Sequence, residues 1–585
     1  MIAASARALP ARRRFGRVPL ACFVFFCILS ADASSLKMPA PWVSDQGNGT
    51  YRNPVLVGDY SDPDVVRVGG DFYLTSSSLA NSPGLPILHS RDLVNWTIIG
   101  HALQKLQPEA HFAVPRRGGG VWAPSIRHHG GKFYIYYPDP DIGVFVVTAA
   151  NPRGPWTRPV LVDRTRGAID PTPFWDERGR AWLAMAFAFS RAGVNNIITL
   201  KRMSPDGKRV LDKGRVIIDG AKLPPVATSN GVLPWRVIEG PKLYRRDGWY
   251  YVFAPAGGVK GGWQGVFRSR AITGPYEARN VLDQGQTQIN GPHQGAWVNT
   301  GHGEDWFLHF QDSDSYGRQV HLEPMVWRNG WPVIGSDPDG DGRGEPVLIH
   351  AKPRLPRQPI AVPQFGDEFD GAPNLAWQWN SNSMDDWIDA SSPKGVLRLK
   401  SVSSSANLYE AGNLFTQKLP SFAFTATAKL TFAPRAVGER TGLLMFGYNV
   451  GWIGLEKFAD AVRLVQGTRM EANKFKPENV TVGPAVASGV VYVRLNATPI
   501  VTPETAPTDR TPLWPSLSRG KHARVSFSYS LDNRHFTALG KPFVSRQGRW
   551  VGAQLGLFAQ APTGTLSSTA TTVGYADYDW LRVTP

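Results

Sequence analysis

The sequence predicts an all-β protein in two parts, a five-bladed β-propeller over residues 50–349 and a β-sandwich over residues 365–585. Three observations carry that prediction. A unit made of a proline-marked opening, a short apolar stretch, a Gly- or Asp-containing turn and an aromatic-rich strand recurs five times. Past a proline-spaced basic stretch the openings stop, and apolar and polar residues alternate as in half-buried antiparallel strands. The composition, with 20 tryptophans, 60 glycines and 42% hydrophobic residues, is that of strands and turns rather than of a disordered chain. At 585 residues the chain is also too long for one small core.

The N-terminal segment is expected to be a signal peptide over residues 1–33, followed by a leader over 34–49. Arg7, Arg12, Arg13, Arg14 and Arg17 precede the apolar run "VPLACFVFFCILS", and Ala31-Asp32-Ala33 offers a small-x-small cleavage site. The run is too short to span a bilayer comfortably. Both cysteines, Cys22 and Cys27, lie within it, so a chain cut after Ala33 has no thiol for catalysis, disulfides or metal binding. The formal charge of +17 stays strongly positive after that cut. No Lys/Arg run interleaved with aromatics follows, which argues against nucleic acid as a partner. The expected location is outside the cytoplasm, either periplasmic or extracellular.

The five openings are "SDPDVVRVGGDFYLTSS", "WAPSIRHHGGKFYIYY", "IDPTPFWDERGRAWLAM", "EGPKLYRRDGWYYVFAP" and "NGPHQGAWVNTGHGEDWFLHF". Their prolines, Pro63, Pro124, Pro171, Pro241 and Pro292, are 61, 47, 70 and 51 residues apart, room for one four-stranded blade each. "HAKPRLPRQPIAVPQ", residues 350–364, reads as a semi-rigid linker. "FAFTATAKLTF", "HARVSFSYSLD" and "YADYDWLRV" then supply the sandwich pattern.

In a propeller the first strands of all blades line one axis, so residues at equivalent openings converge. Three openings carry carboxylates: Asp62 before Pro63, Asp170 before Pro171, and Glu239 two before Pro241. Hydrolysis of a glycosidic bond with inversion needs one carboxylate to activate water and one carboxylic acid to protonate the leaving oxygen, roughly 6.5–9.5 Å apart. A third acid nearby raises the donor's proton affinity and orients it. Asp59 and Asp64, beside Asp62, are read as turn residues without a chemical role.

The order "YSDPD", "AIDPTPFWD", "IEGPKLY", with "GGVWAPSIRHHGGKFYIYY", "NGPHQGAW" and "GRQVHLEPMVWRNGWPVIG", resembles glycoside hydrolase family 43, whose five-bladed members include β-xylosidases and α-L-arabinofuranosidases. "FGDEFDG", "WQWN", "YSLDNRHFTALGKPF" and "YADYDWLRV" resemble the concanavalin-like sandwich appended to family β-xylosidases. The resemblance implies Asp62 as general base, Asp170 as modulator and orienter, and Glu239 as general acid. It also implies His293 near the axis, beside the acids or an axial calcium ion, Arg318 reaching the sugar, and Trp122 as a pocket wall. Structural calcium aside, no cofactor is implied.

In the sandwich, Asp367, Glu368 and Asp579 are candidate calcium ligands. "DPDGDGRGE", residues 337–345, imitates the start of a helix-loop-helix calcium loop, but Leu348 stands where the closing acid belongs, so it is read as an Asp/Gly turn. After Tyr73, "SSSLANSPGLPILHS" lacks the aromatic segment that family xylosidases place at the first sugar subsite, so the wall beside Asp62 must come from elsewhere. The expected function is exo-hydrolysis of terminal β-D-xylosyl or α-L-arabinofuranosyl residues of hemicellulose oligosaccharides. The alternative is a propeller that binds carbohydrate without cutting it. A retaining fructan hydrolase would show "RDP" and "EC" strings, and neither occurs.

Overall fold

The computed structural model describes residues 39–389, 392–487, 489–500, 522–563 and 574–585. The expected signal segment and its cysteines lie outside the described residues. Five four-stranded antiparallel sheets follow one another, each with its strands in chain order. Blade 1 is Asp64–Val68, Asp71–Thr75, Gly84–Ser90 and Thr97–Leu103. Blade 2 is Ser125–His129, Lys132–Asp139, Gly143–Ala149 and Val160–Asp163. Blade 3 is Ala168–Trp175, Ala181–Phe187, Ile197–Met203 and Arg215–Asp219. Blade 4 is Lys242–Arg246, Trp249–Ala256, Trp263–Ser269 and Glu277–Leu282. Blade 5 is His293–Asn299, Asp305–Asp312, Arg318–Arg328 and Trp331–Ile334.

The turns explain the hairpins. In blade 1 the first two strands are joined at Gly69-Gly70, and Gly69 sits at φ +63°, a conformation that glycine enters without penalty. The large apolar side chains on the two faces of each blade then meet those of its neighbours. Ile87, Ile99, Ile135 and Val147 pack blade 1 on blade 2, and Trp263, Val252, Leu200 and Trp182 pack blade 3 on blade 4. Phe72, Leu88, Trp306 and Leu322 pack blade 5 back on blade 1, closing the ring. Thr50–Arg52 pairs with Ile349–Ala351, so the first two residues of the expected linker are strand and tie the start of the propeller to its end.

Beyond the linker stand two facing sheets. The larger runs through Gln378–Trp379, Phe415–Lys418, Gln554–Pro562, Arg440–Phe446, Val450–Lys457, Val462–Arg469 and Asn479–Ala485, and Val402–Ser404 adds its eighth strand. The other runs through Leu397–Lys400, Tyr575–Thr584, Phe424–Ala433, Val491–Pro499, Ala523–Ser530 and Thr537–Ala538, with Phe543–Val544 beside Ala523–Ser530. Every second residue of Tyr575–Thr584 points into their shared core until Trp580-Leu581. The sandwich is seated directly on the propeller. The Tyr316 ring belongs to its core and its hydroxyl donates to the Phe422 carbonyl at 3.0 Å. Arg117, from the loop between blades 1 and 2, donates to the carbonyl oxygens of Tyr409 and Ala411 and lies over the rings of Tyr409 and Phe446. Among the described residues no helix is long and apolar enough to cross a membrane.

Candidate active site

The three acids meet in one cavity of about 110 Å³ on the propeller, lined also by Ser77, Trp122, Gln294, Arg318 and Trp550. Backbone geometry explains how they converge. Asp62 and Asp170, each just before its proline, sit at φ +54° and +55°, the left-handed region that costs an ordinary residue about 1–2 kcal/mol and that aspartate tolerates better than most. The same position in blade 4 is Gly240, at φ +60°. There a Cβ would lie 2.8 Å from the Gln294 side chain, so the carboxylate comes instead from the preceding residue, Glu239.

Each carboxylate has different company. Both oxygens of Asp62 are engaged: Arg318 Nη1 donates to Oδ1 at 2.9 Å and Ser77 Oγ to Oδ2 at 2.6 Å. Arg318 is itself held by Asp59, whose Oδ1 accepts from its backbone N–H at 2.9 Å. Glu239 Oε1 lies 2.9 Å from Nε2 of His293, which is fully buried. Among the described residues Asp170 has one hydrogen-bond partner, the Gly240 N–H, which donates to Oδ2 at 2.7 Å. It is 3% exposed, whereas the Glu239 side chain keeps 23% of its surface. Burial therefore pushes the Asp170 carboxyl up to about 8, and the negative charges of Glu239 and then Asp62 push the same way. The Gly240 amide and the Lys242 charge oppose this. Asp170 has neither the arginine that holds Asp62 nor the solvent exposure of Glu239.

The other residues read from the sequence divide. Arg318, His293 and Trp122 are all at the site. The Trp122 indole is a half-buried wall, and its N–H donates to the Gly118 carbonyl at 3.0 Å. Facing it edge-on at 6.2 Å is Trp550, from the sandwich, whose ring also lies 5.9 Å from the Arg318 guanidinium carbon. Trp550 supplies the aromatic wall that the segment after Tyr73 lacks. Nothing in the sequence pointed to it, because a loop of one domain reaching the cavity of another leaves no periodic or motif signal. Ser77 and Gln294 were also missed, although each stands close to a residue already singled out.

The reading of Asp64 as a turn residue is corrected. It begins a strand, is fully buried, and its Oδ2 accepts from Arg127 Nη1 at 2.5 Å and from the Ile126 N–H at 2.8 Å. The three acids read as calcium ligands in the sandwich each have protein partners of their own. Asp367 accepts from the N–H groups of Phe369 and Asn374 and from the Trp377 indole. Glu368 forms a two-pronged pair with Arg582, and Asp579 pairs with Lys429 at 3.3 Å. Beside the His293 ring the carboxylate within hydrogen-bond distance is that of Glu239, so the axial calcium expected there would be held largely through water. Asp337, Asp339 and Asp341 do gather, with ligand atoms within 4.8 Å of one another. They form the expected turn, with Arg328 and Arg343 paired to Asp337 and Asp341.

Comparison with known proteins agrees with this architecture. Residues 51–332 match the family model described as glycosyl hydrolases family 43, and residues 366–584 match that of the β-xylosidase C-terminal concanavalin A-like domain. A protein of Xylanibacter ruminicola is 37% identical over 513 residues, 88% of this chain and 86% of its own. The β-xylosidase of Formosa agariphila is 31% identical over 570 residues, 92% of this chain and 90% of its own. The non-reducing end α-L-arabinofuranosidase BoGH43B of Bacteroides ovatus is 29% identical over 420 residues, 68% of this chain and 73% of its own.

Proposed function

The chain belongs to glycosyl hydrolase family 43, and on that premise we propose that it is an exported, inverting exo-glycosidase that removes terminal β-D-xylosyl or α-L-arabinofuranosyl residues from hemicellulose oligosaccharides. The observation that carries the reading is the cavity holding Asp62, Asp170 and Glu239 beside two tryptophans, of a size for one terminal sugar. The basic and apolar N-terminal segment supports export.

Asp62 is the base in this mechanism. Arg318 and Ser77 fix its two oxygens, and a carboxylate keeps lone pairs beyond those two bonds with which to draw a proton from water attacking the anomeric carbon. Glu239, the most open of the three, delivers a proton to the leaving oxygen. Asp170 holds a proton beside it until the sugar enters, and its bond from Gly240 keeps the segment carrying Glu239 in place. Both pentoses present similar hydroxyls around the scissile bond, so one pocket serves both.

Release of nitrophenol from the β-D-xylopyranoside and α-L-arabinofuranoside, with the anomer formed first followed by proton NMR, tests the proposal. Cleavage of at least one substrate with the product's anomeric configuration inverted is expected. If xylan fragments bind and neither substrate is cut, the protein is a binding propeller and the proposal fails. Trp550→Ala is expected to raise KM about tenfold with a smaller change in kcat, the effect of losing roughly 1–1.5 kcal/mol of aromatic contact with the sugar ring. Steady-state kinetics on the better substrate checks this.

A further inference from the structure

The residue that follows the proline of each opening is polar in all five blades: Asp64, Ser125, Thr172, Lys242 and His293. All five are fully buried, in a fold whose other buried positions are mostly apolar. Lys242 stands out, because a buried ammonium needs partners to offset its lost hydration. Its Nζ donates to the Pro124 carbonyl at 3.0 Å and to Ser125 Oγ at 2.6 Å, and lies 3.9 Å from Asp64 Oδ2. Blades 2 and 4 are not neighbours in the ring, so a blade 4 side chain that bonds the opening of blade 2 and faces that of blade 1 does so at the axis. Arg127 completes the cluster: it pairs with Asp64, donates to Thr172 Oγ1 of blade 3 at 3.1 Å, and lies over the Tyr244 ring of blade 4. Lys242 is three residues from Glu239, and its charge reaches both Asp62 and Asp170.

We propose that Lys242 is the built-in counter-charge of the acid site, a positioning residue on the propeller axis that clamps the openings of blades 1, 2 and 4 and offsets the negative charge gathered there. The mechanism so far uses three acids and no cation on the axis. Three carboxylates in one small cavity repel one another, and the base works only while ionised. A fixed ammonium on the axis offsets part of that repulsion without occupying the sugar's space. The groups acting with it are Asp64 and Arg127 on the axis, Arg318 on Asp62, and His293 beside Glu239. Asp64 is shared between Arg127 and Lys242, and beyond Asp64 the Lys242 charge reaches Asp170 and then Asp62.

This inference rests on the glycosidase reading for its kinetic test and has a second test that does not. Lys242→Gln keeps an amide able to donate to the Pro124 carbonyl and Ser125 hydroxyl while removing the charge. Its acid limb in kcat/KM against pH is expected to rise by about one pH unit, the order of shift from losing a nearby unit charge at an effective dielectric near 20. Lys242→Arg is expected to restore the wild-type limb. An active Lys242→Gln enzyme with an unmoved limb, or a limb that Lys242→Arg leaves shifted, overturns the inference and leaves the glycosidase reading standing. Should the wild type cut neither sugar, the unfolding midpoint against pH reports the same charge. The pH at which the Asp170-linked loss of stability levels off, set by the folded-state carboxyl, is expected to move up in Lys242→Gln, and no movement overturns the inference. If Lys242→Gln does not fold, Asp64→Asn/Lys242→Met removes both charges of the pair. Its limb, or its unfolding midpoint against pH, is expected within about 0.3 unit of wild type, since the two losses act in opposite senses. An upward shift of about one unit in either readout would mean that geometry, not charge, is what Lys242 supplies.

Discussion

Glu239→Gln is expected to cut turnover of xylo-oligosaccharides by about 10³-fold, with a much smaller loss on the nitrophenyl glycoside. The difference follows from the leaving groups. A sugar alkoxide departs only when protonated, whereas nitrophenolate departs readily without help, so removing the acid penalises the natural leaving group most. The amide is close to isosteric and still bonds the His293 ring, so circular dichroism should match wild type. The basic limb of the pH profile should vanish, because the group whose ionisation ends acid catalysis is gone. Equal losses on both substrates would mean that Glu239 organises the site without donating a proton, and the assignment of the acid would fail.

Asp170→Asn is expected to separate activity from stability. Activity should fall by about a hundredfold, since the acid pair loses the carboxyl that stores its proton. Stability should rise. Burial lifts the Asp170 carboxyl from its ordinary value of 3.8 to about 8, so between those pH values the folded chain holds a proton that the unfolded chain releases. Stability therefore falls as pH rises through that window, by an amount on the order of a few kcal/mol near neutrality. Asparagine carries no such penalty, and its side-chain oxygen still accepts the Gly240 N–H. The variant should melt a few degrees above wild type at pH 7.5 and level with it near pH 4. A gain that is the same at both values would trace to packing rather than to the buried carboxyl.

Much of this site was legible before any coordinate. Asp62 and Asp170 occupy one register of the repeat, and Glu239 stands beside that register in a third copy, so repetition alone implied that they converge. The register also held Asp64 and Lys242, one place beyond the prolines, but the same short spacing made Asp64 read as turn chemistry. Whether an aspartate beside a proline caps a turn or pairs with an arginine depends on what the neighbouring blade brings to it, here Arg127. The sandwich was legible from its period of two, and the partners of its acids were not: Asp367, Glu368 and Asp579 look like a ligand set in the sequence, and only the fold sets Trp377, Arg582 and Lys429 around them.

The chain's own order of residues therefore determined the five blades, the sandwich, and which openings carry acids, because these follow from local periodicity and from copies of one unit in equivalent places. Closure of the ring and docking of the sandwich decided the rest. They brought Trp550 beside the acids, set Lys242 on the axis near them, and left Asp170 more deeply buried than Glu239. Proton affinity, aromatic enclosure and ion pairing all depend on which groups stand within a few ångströms and how much water remains between them, and those distances exist only once the blades have met.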